Sequence, residues 1–419
     1  MARTITIPSQ DALFKRMYGK AGTSLVNKKT PLTSVLMKNK KVDFVGSNFV
    51  QPVRFTSGLG LGYRSVGQNL PKPQAARRES AIFPAARAYA TAEYDREAIV
   101  ASRNDEGAFA RVTVDEAMAA VEGHQLHMVE RALFGDKSGA LGQINDASIT
   151  GAGTEASPWA FDLLAGDLTY PTKGKWFQRG QRVDLYTTGG VYQMTIEIRS
   201  VSTNFSTKVI SLTAITLETG SAVSPTDDDV LYWQGNKDQE IVGLRAIAPV
   251  SAGTLYGIDQ SLNPEFRGLL KPISGALQYD DLNEGIEQLA EEIEAPNLAV
   301  CSHSTLALLK NLSEDHKRYS AAEIKSSDGK VGFKGISAMS SEGEFPMIAS
   351  QMCPEGEIFL LNTAHMQIVM RQDFGWFDDD GTILLRDQDK DVYNARYGGY
   401  FELFCSKPNS VMRLYGFSV

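Results

Sequence analysis

Residues 254–268, TLYGIDQSLNPEFRG, pack a Gly-Ile-Asp corner, an Asn-Pro step and an aromatic–Arg pair into fifteen positions. Asn263-Pro264 favours a turn, because proline pushes the residue before it out of the helical region. Gly257 and Gly268 punctuate the stretch on either side. A catalytic loop has this texture, and so does a structural corner where the chain changes direction. The choice depends on whether the rest of the sequence supplies chemistry for such a loop to carry.

It supplies little. His124, His127 and Glu130 stand three apart on a helical stretch, so a metal site is conceivable, but nothing elsewhere completes the ligand set and hydrogen-bonded structural histidines fit better. Asp387, Asp389 and Asp391 alternate as in a calcium loop, yet Val392 stands where the turn needs glycine and Gly398 where a bidentate glutamate belongs. The DFG at 373–375 lacks the other kinase motifs, and GLGLGYRSVG misses both dinucleotide and P-loop spacing. There is no GxSxG elbow, and Cys301 with His303 on one strand makes a poor nucleophile–base pair. The acidic runs TDDD (226–229) and FDDDG (377–381) suit solvated turns. No catalytic residues, cofactor or metal are expected, and the chain is not expected to be an enzyme.

The composition is that of a globular protein, with 42% hydrophobic and 22% charged residues over 419 positions, enough for two or three cores. Three scattered cysteines, Cys301, Cys353 and Cys405, build no disulfide framework. No stretch approaches the eighteen consecutive apolar residues of a membrane span, and the first residues lack the apolar core of a signal peptide. The net charge of −8 conceals an asymmetry: residues 1–100 carry 16 Lys and Arg against 6 Asp and Glu, and the remainder 26 against 44. A basic arm for nucleic acid, an arm gripping the acidic body of another copy, and a solvated terminus all fit that balance.

Along the chain, SQDALFKRMY (9–18) reads as a short helix capped by Ser9, followed by a Lys-rich extended piece including TPLTSVLMKNKK. Residues 49–66 and 82–101 alternate like strands around a polar, basic tip, GQNLPKPQAARRES, which predicts one long hairpin over 49–105. An isolated hairpin is marginal in water, so it is expected to lie on something else. A long helix follows, from Phe109 to Phe134, about 39 Å at 1.5 Å per residue, with Gly135 as its C-terminal cap. Residues 176–242 read as short strands forming a compact β unit. Helix, strand and helix then follow in LNEGIEQLAEEIE, NLAVCS and STLALLKNLSE, and the tail returns to strands.

Basic arm, hairpin, long helix, α/β middle and returning strands form an order that resembles the major capsid proteins of tailed bacteriophages. That fold is shared with encapsulin shells and the herpesvirus capsid floor. RALFGDKSGAL after the long helix is similar to the family's Phe-Gly-Asp-Gly-Thr-Gly turn, with Lys137-Ser138 departing from the first Gly-Thr. GLRAIAPVSAGTLYGIDQSLNPEFRG resembles its Gly-Leu…Gly-Thr…Gly-Ile-Asp…Pro-aromatic segment, with Phe266 where Trp is frequent. EGEFPMIASQMCPEGEIFLLNTAHMQIVMRQDFGWFDDDG resembles its closing half. The resemblance covers nearly the whole chain, and the shared order of the motifs carries it.

The resemblance implies an α+β fold in which the 254–268 corner is structural. It makes residues 1–48 an N-terminal arm, 49–106 an extended loop and 107–169 the spine helix with a peripheral domain. Residues 170–243 become a β-rich insertion, 244–280 a return to the peripheral domain, 281–364 the axial domain and 365–419 the completing strands. Lys15, Arg16, Lys28, Lys29, Arg54, Lys72, Arg77 and Arg78 then become contacts between copies through the arm and loop. The implied function is a major coat protein that assembles as hexamers and pentamers into an icosahedral head around double-stranded DNA, in the virion after assembly in a bacterial cytoplasm. Implied partners are a scaffolding protein, a portal, DNA held non-specifically and in some cases a cement protein, with no membrane. An encapsulin-like nanocompartment and a tail or decoration protein remain as alternatives. Because the arm-like helix begins within ten residues of Met1, a separate scaffold and no large N-terminal cleavage are expected. Deleting residues 1–41 is expected to prevent closed particles while leaving the body folded.

Overall fold

The computed structural model describes residues 30–39, 46–57, 60–96, 117–146, 148–163, 169–204, 207, 209–217, 224–314, 321–326, 329–341, 343–378, 383–386 and 390–418. The expected 9–18 helix and Lys15, Arg16, Lys28 and Lys29 lie outside them.

Three sheets organise the chain. In the first, seven strands run in the order Leu269–Ala276, Val411–Ser418, Glu357–Leu361, Leu298–Cys301, Gly343–Ala349, Gly329–Ser340 and Ala321–Ser326. The interior strand Glu357–Leu361 is buried at every position, which explains the apolar run that follows Glu357. Helices Tyr279–Glu292 and His303–Glu314 contribute to this core. Leu282, Ile286 and Leu289 fall on one stripe of the first helix, and a Gln278–Asp281 capping box starts it. Helix, strand and helix match the sequence reading.

The second sheet is built on Val392–Cys405, which pairs antiparallel with Met366–Trp376 along one side and with Ala86–Asp95 along the other. Met37–Asn39 runs parallel to Met366–Trp376, so a strand from near the N-terminus joins one from near the C-terminus. The Lys-rich piece read as extended begins instead with a helix, Pro31–Val35. Pro31 sits at its first turn, where the missing N–H costs nothing.

The third sheet, in the order Ala140–Gln143, Val230–Trp233, Arg182–Tyr186, Tyr192–Thr203, Ile210–Thr216 and Trp159–Leu163, is the compact β unit. A bridge between Ile144 and Leu163 joins its first strand to its last and rolls it into a small barrel. Its interior is closed by Leu141, Phe161, Val183, Met194, Ile196 and Leu212. The unit therefore takes strands from 140–163, ahead of the 170–243 segment expected to form it. Its two ends meet where Asp238 N donates to the Ser138 carbonyl at 2.8 Å.

The long-helix expectation changes in kind. Residues 117–123 are α-helical, but His124–Glu130 form a π-helix and Ala132–Phe134 a single 3-10 turn. Residues 109–116 lie outside the described ones. Gly135 is not a left-handed cap, since its φ is −77° and ψ 177°. The glycine that close approach demands here is Gly243, where a Cβ would lie 2.4 Å from the Gly135 carbonyl oxygen.

Candidate assembly interface

The 49–106 span expected as one hairpin is divided. Asn48–Arg54 pairs in register with Arg78–Pro84, from Asn48 opposite Pro84 to Arg54 opposite Arg78. One residue later Ala86–Asp95 leaves for the second sheet. The alternation of Phe49, Ala81 and Phe83 inward against Val50 and Ile82 outward gives the hairpin one core face and one exposed face.

The inward face is seated on the opening corner. Tyr256 and Gly257, with φ of 52° and 82°, form the turn between strands Thr254–Leu255 and Ile258–Asp259. The Tyr256 carbonyl accepts from Ile82 N at 2.8 Å, and its ring meets Phe83 at 4.9 Å and Phe404 at 5.4 Å between centroids. The Tyr256 hydroxyl donates to the Leu403 carbonyl at 2.6 Å, and burial raises its pKa well above the usual phenol value. Phe266 packs edge-on against Phe55 at 5.7 Å. Asp259 accepts from the Ser261 N–H and hydroxyl, and the Asn263 side chain donates back to the Asp259 carbonyl. The corner is structural: it roots the hairpin and then delivers the chain to Leu269–Ala276 and the helix containing Leu282.

Beyond the ladder, the described residues between Phe55 and Arg77 carry no regular structure apart from a turn where Gln68 N donates to the Ser65 carbonyl at 3.2 Å. Leu61, Tyr63, Val66 and Leu70 stand 82%, 104%, 106% and 84% exposed. Large apolar side chains this exposed among the described residues make the tip a candidate contact surface.

The basic residues flank this tip without forming one cluster. Arg54 and Arg78 are exposed and directly opposite across the ladder, a like-charge pair that is unfavourable unless an anion lies between them. Arg77 donates to Glu79 at 2.8 Å and lies over the Phe55 ring at 5.7 Å. Lys72 is exposed, with no ion pair among the described residues.

Sequence reading missed the residues that fasten the helix Pro31–Val35. Glu130 is fully buried, and its carboxylate accepts from Leu32 N at 3.2 Å, Thr33 N at 3.0 Å, the Thr33 hydroxyl at 2.7 Å and the Ser350 hydroxyl at 2.9 Å. It caps the Pro31–Val35 helix from ninety-seven residues away in the chain. Burial raises its pKa against these four bonds. The turn that carries Ser350 also receives the barrel: Trp176 Nε1 donates to the Met352 carbonyl at 3.2 Å and Lys173 Nζ to the Cys353 carbonyl at 2.9 Å. Arg131, held over Trp176 and Trp233 at 5.5 Å each and bonded to Glu240, ties the helical stretch ending at Phe134 to the barrel.

His124, His127 and Glu130 do not converge. His124 reaches the Ala88 carbonyl at 3.3 Å, His127 faces Gln178 at 2.8 Å, and Glu130 faces the arm helix. Burial lowers both histidines to about 4, so they are neutral packing groups. No group of potential metal ligands occurs among the described residues.

No family model matches the chain, and no curated protein matches it. Solved structures do. The capsid asymmetric unit of Cyanophage A-1(L) superposes with a TM-score of 0.54 at 11% identity, over 93% of each chain. The chain has the phage major-capsid fold. Weaker likenesses are the capsid of a native GTA particle (TM-score 0.43, 11% identity, 92% of this chain and 90% of that one) and the SrpI encapsulin of Synechococcus elongatus PCC 7942 (0.43, 9%, 93% and 90%). In this capsid fold the rooted hairpin with its uncovered tip is the candidate interface.

Proposed function

We propose that the chain is the major coat subunit of a tailed-bacteriophage head, assembling as hexamers and pentamers into an icosahedral shell around double-stranded DNA. The observation that carries this reading is the loop: one face is bolted to the body at Tyr256, while Leu61, Tyr63, Val66 and Leu70 project uncovered beside Arg54, Lys72 and Arg78. A second copy supplies the missing apolar cover and the missing acids, since residues 101–419 carry 44 acidic against 26 basic side chains. Residues 1–48 then serve as the arm, 281–364 as the axial domain around the symmetry axes, and the barrel as an insertion. Lys15, Arg16, Lys28 and Lys29 on the arm join the contacts between copies. DNA is tolerated through phosphate contacts without sequence readout. Scaffolding protein and portal are the assembly partners, a cement protein is an optional one, and the shell itself is not catalytic.

Electron microscopy of the purified protein tests the reading. Closed isometric particles are expected, containing double-stranded DNA when isolated from a lysate in which packaging occurs. Particles filled with an enzyme cargo and no genome point to a nanocompartment, and tubes or discrete trimers to a tail or decoration protein.

A further inference from the structure

The turn 350–355 joins strand Gly343–Ala349 to strand Glu357–Leu361 across the end of Leu298–Cys301, where Ser350 N donates to the Cys301 carbonyl at 3.0 Å. The Ser350 hydroxyl has one proton and gives it to Glu130 at 2.9 Å, while its oxygen accepts from Met352 N at 3.3 Å. Met352 continues the run, because its carbonyl accepts from Trp176 Nε1 at 3.2 Å. The segment carrying Trp176 is part of the barrel, tied to strand Tyr192–Thr203 where Gly180 N donates to the Ile198 carbonyl at 2.7 Å. An unbroken line of hydrogen bonds therefore leads from the barrel through Met352, Ser350 and Glu130 to the N–H groups of Leu32 and Thr33. Every residue on it is buried.

A second branch leaves the same turn. Lys173 Nζ donates to the Cys353 carbonyl at 2.9 Å and pairs with Glu355 Oε1 at 3.2 Å. The other Glu355 oxygen accepts from the Ser302 and Ser304 hydroxyls, and Ser302 Oγ accepts from Thr305 N at 3.2 Å in the first turn of His303–Glu314.

Buried bonds that share atoms in this way do not break singly. If Met352 follows Trp176 away, Ser350 Oγ loses its donor or turns with it, and Glu130 Oε1 keeps only Leu32 N. The arrangement in which all partners are present is then favoured as a unit. We propose that the turn 350–355 couples the seat of the barrel to the helix Pro31–Val35, so that lifting Lys173 and Trp176 from the turn releases the helix from Glu130, and releasing the helix loosens the barrel. Every residue involved belongs to one copy, so the coupling is independent of the shell reading.

Native-state hydrogen exchange on the full-length chain, in urea below the unfolding transition, tests this. Peptides covering 32–36 and 173–177 are expected to open along one urea dependence, well before the interior strand 357–361. Separate dependences for the two segments overturn the coupling. Opening of both only together with 357–361 overturns it as well, because a device that moves only when the whole fold opens couples nothing. Lys173→Met supplies the second reading. It is expected to speed exchange at 32–36 by at least about fivefold while 357–361 keeps the parent's rate. Faster exchange at 173–177 beside an unchanged 32–36 overturns the coupling. By reciprocity Glu130→Gln is expected to speed exchange at 173–177, and an unchanged rate there in a folded Glu130→Gln chain overturns it too.

Discussion

The Glu130 carboxylate accepts both the backbone N–H and the hydroxyl of Thr33, at 3.0 and 2.7 Å, through one oxygen. The other oxygen takes Leu32 N and the Ser350 hydroxyl. One buried side chain thus joins the end of the arm, the spine and the turn on which the barrel rests. All four partners are donors, so no neutral isostere satisfies them.

Replacing Glu130 with Gln is therefore expected to destabilise nearly as much as replacing it with Ala. The amide turns donors toward the Thr33 or Leu32 N–H, leaving buried groups unpaired at about 1–3 kcal/mol each. Urea unfolding of the two variants beside the parent measures this. Full stability of Glu130→Gln contradicts the clamp. Limited proteolysis should find new cleavage between residues 30 and 36 in both variants.

Glu402 behaves differently. Its Oε1 accepts from Val242 N at 2.6 Å and Leu403 N at 3.2 Å, and burial pushes its pKa up to about 8. An acid with a raised folded pKa binds its proton more tightly when folded. Its contribution is complete below its unfolded value near 4.5 and is lost as pH rises through about 8. His124 and His127, lowered to about 4, add stability as pH rises towards 6.5. The fall due to Glu402 is therefore expected above about pH 7, up to pH 9, and is expected to be smaller in Glu402→Gln, whose amide oxygen takes the same two bonds. Urea midpoints across that range check the slope, and identical slopes in the two proteins exclude Glu402 as its source.

The arm should be divisible. Leu32 and Leu36 are 0% and 2% exposed, so the end of the 1–48 segment is core rather than tail. Deleting 1–41, expected from sequence to spare the body, removes both leucines and three of the four groups that satisfy Glu130. Each leucine alone is worth roughly 2–3 kcal/mol. Deleting 1–29 removes six basic residues and one acid while keeping Thr30 onward. The shorter deletion is expected to keep the parent's melting temperature and to lose closed particles, while the longer one melts early. Particle counts by microscopy and calorimetry separate the two outcomes.

What the sequence revealed follows from the range of the forces involved. Strands such as Asn48–Arg54 and helices such as Tyr279–Glu292 declare themselves by period, because their own residues alternate between core and solvent. The 254–268 corner was legible as a corner from Asn263-Pro264 and Gly257. Its partners Ile82 and Leu403 were not, since a hydrogen bond across such distances leaves no local pattern. The π-helix at His124–Glu130 kept the apolar spacing of an α-helix, so sequence reading placed its two histidines on one face. The split of the hairpin at Ala85 was hidden because strands Arg78–Pro84 and Ala86–Asp95 carry one nearly continuous alternation. Arg54, Lys72, Arg77 and Arg78 were named by residue type as expected contacts between copies, but the apolar tip was not, because exposure of Leu61 or Val66 is a tertiary property.

The last expectation concerns what holds the copies together. A covalent tie between loop and neighbour needs a lysine amine, an amide to attack and a nearby group that takes the proton. Lys72 is the only lysine on the loop between 46 and 84, and it lies between two prolines in an exposed segment. Asn362, an acceptor by residue type, is occupied within its own protomer. Its amide donates to Glu294 at 3.1 Å and the Ala295 carbonyl at 3.4 Å, while its oxygen caps the following turn through Ala364 N at 3.2 Å. Reaching it from outside means breaking those bonds at a buried site. Asn394 lies in the Val392–Cys405 strand, opposite Leu385 on one side and Glu93 on the other. The attraction between copies is therefore expected to be non-covalent, from buried apolar tip residues and charge pairs repeated across many subunits. Boiled, reduced particles should run as a single band at the 45.8 kDa monomer mass. A ladder of multimers that survives denaturant and reductant contradicts this, and its loss in Lys72→Arg would identify the amine responsible.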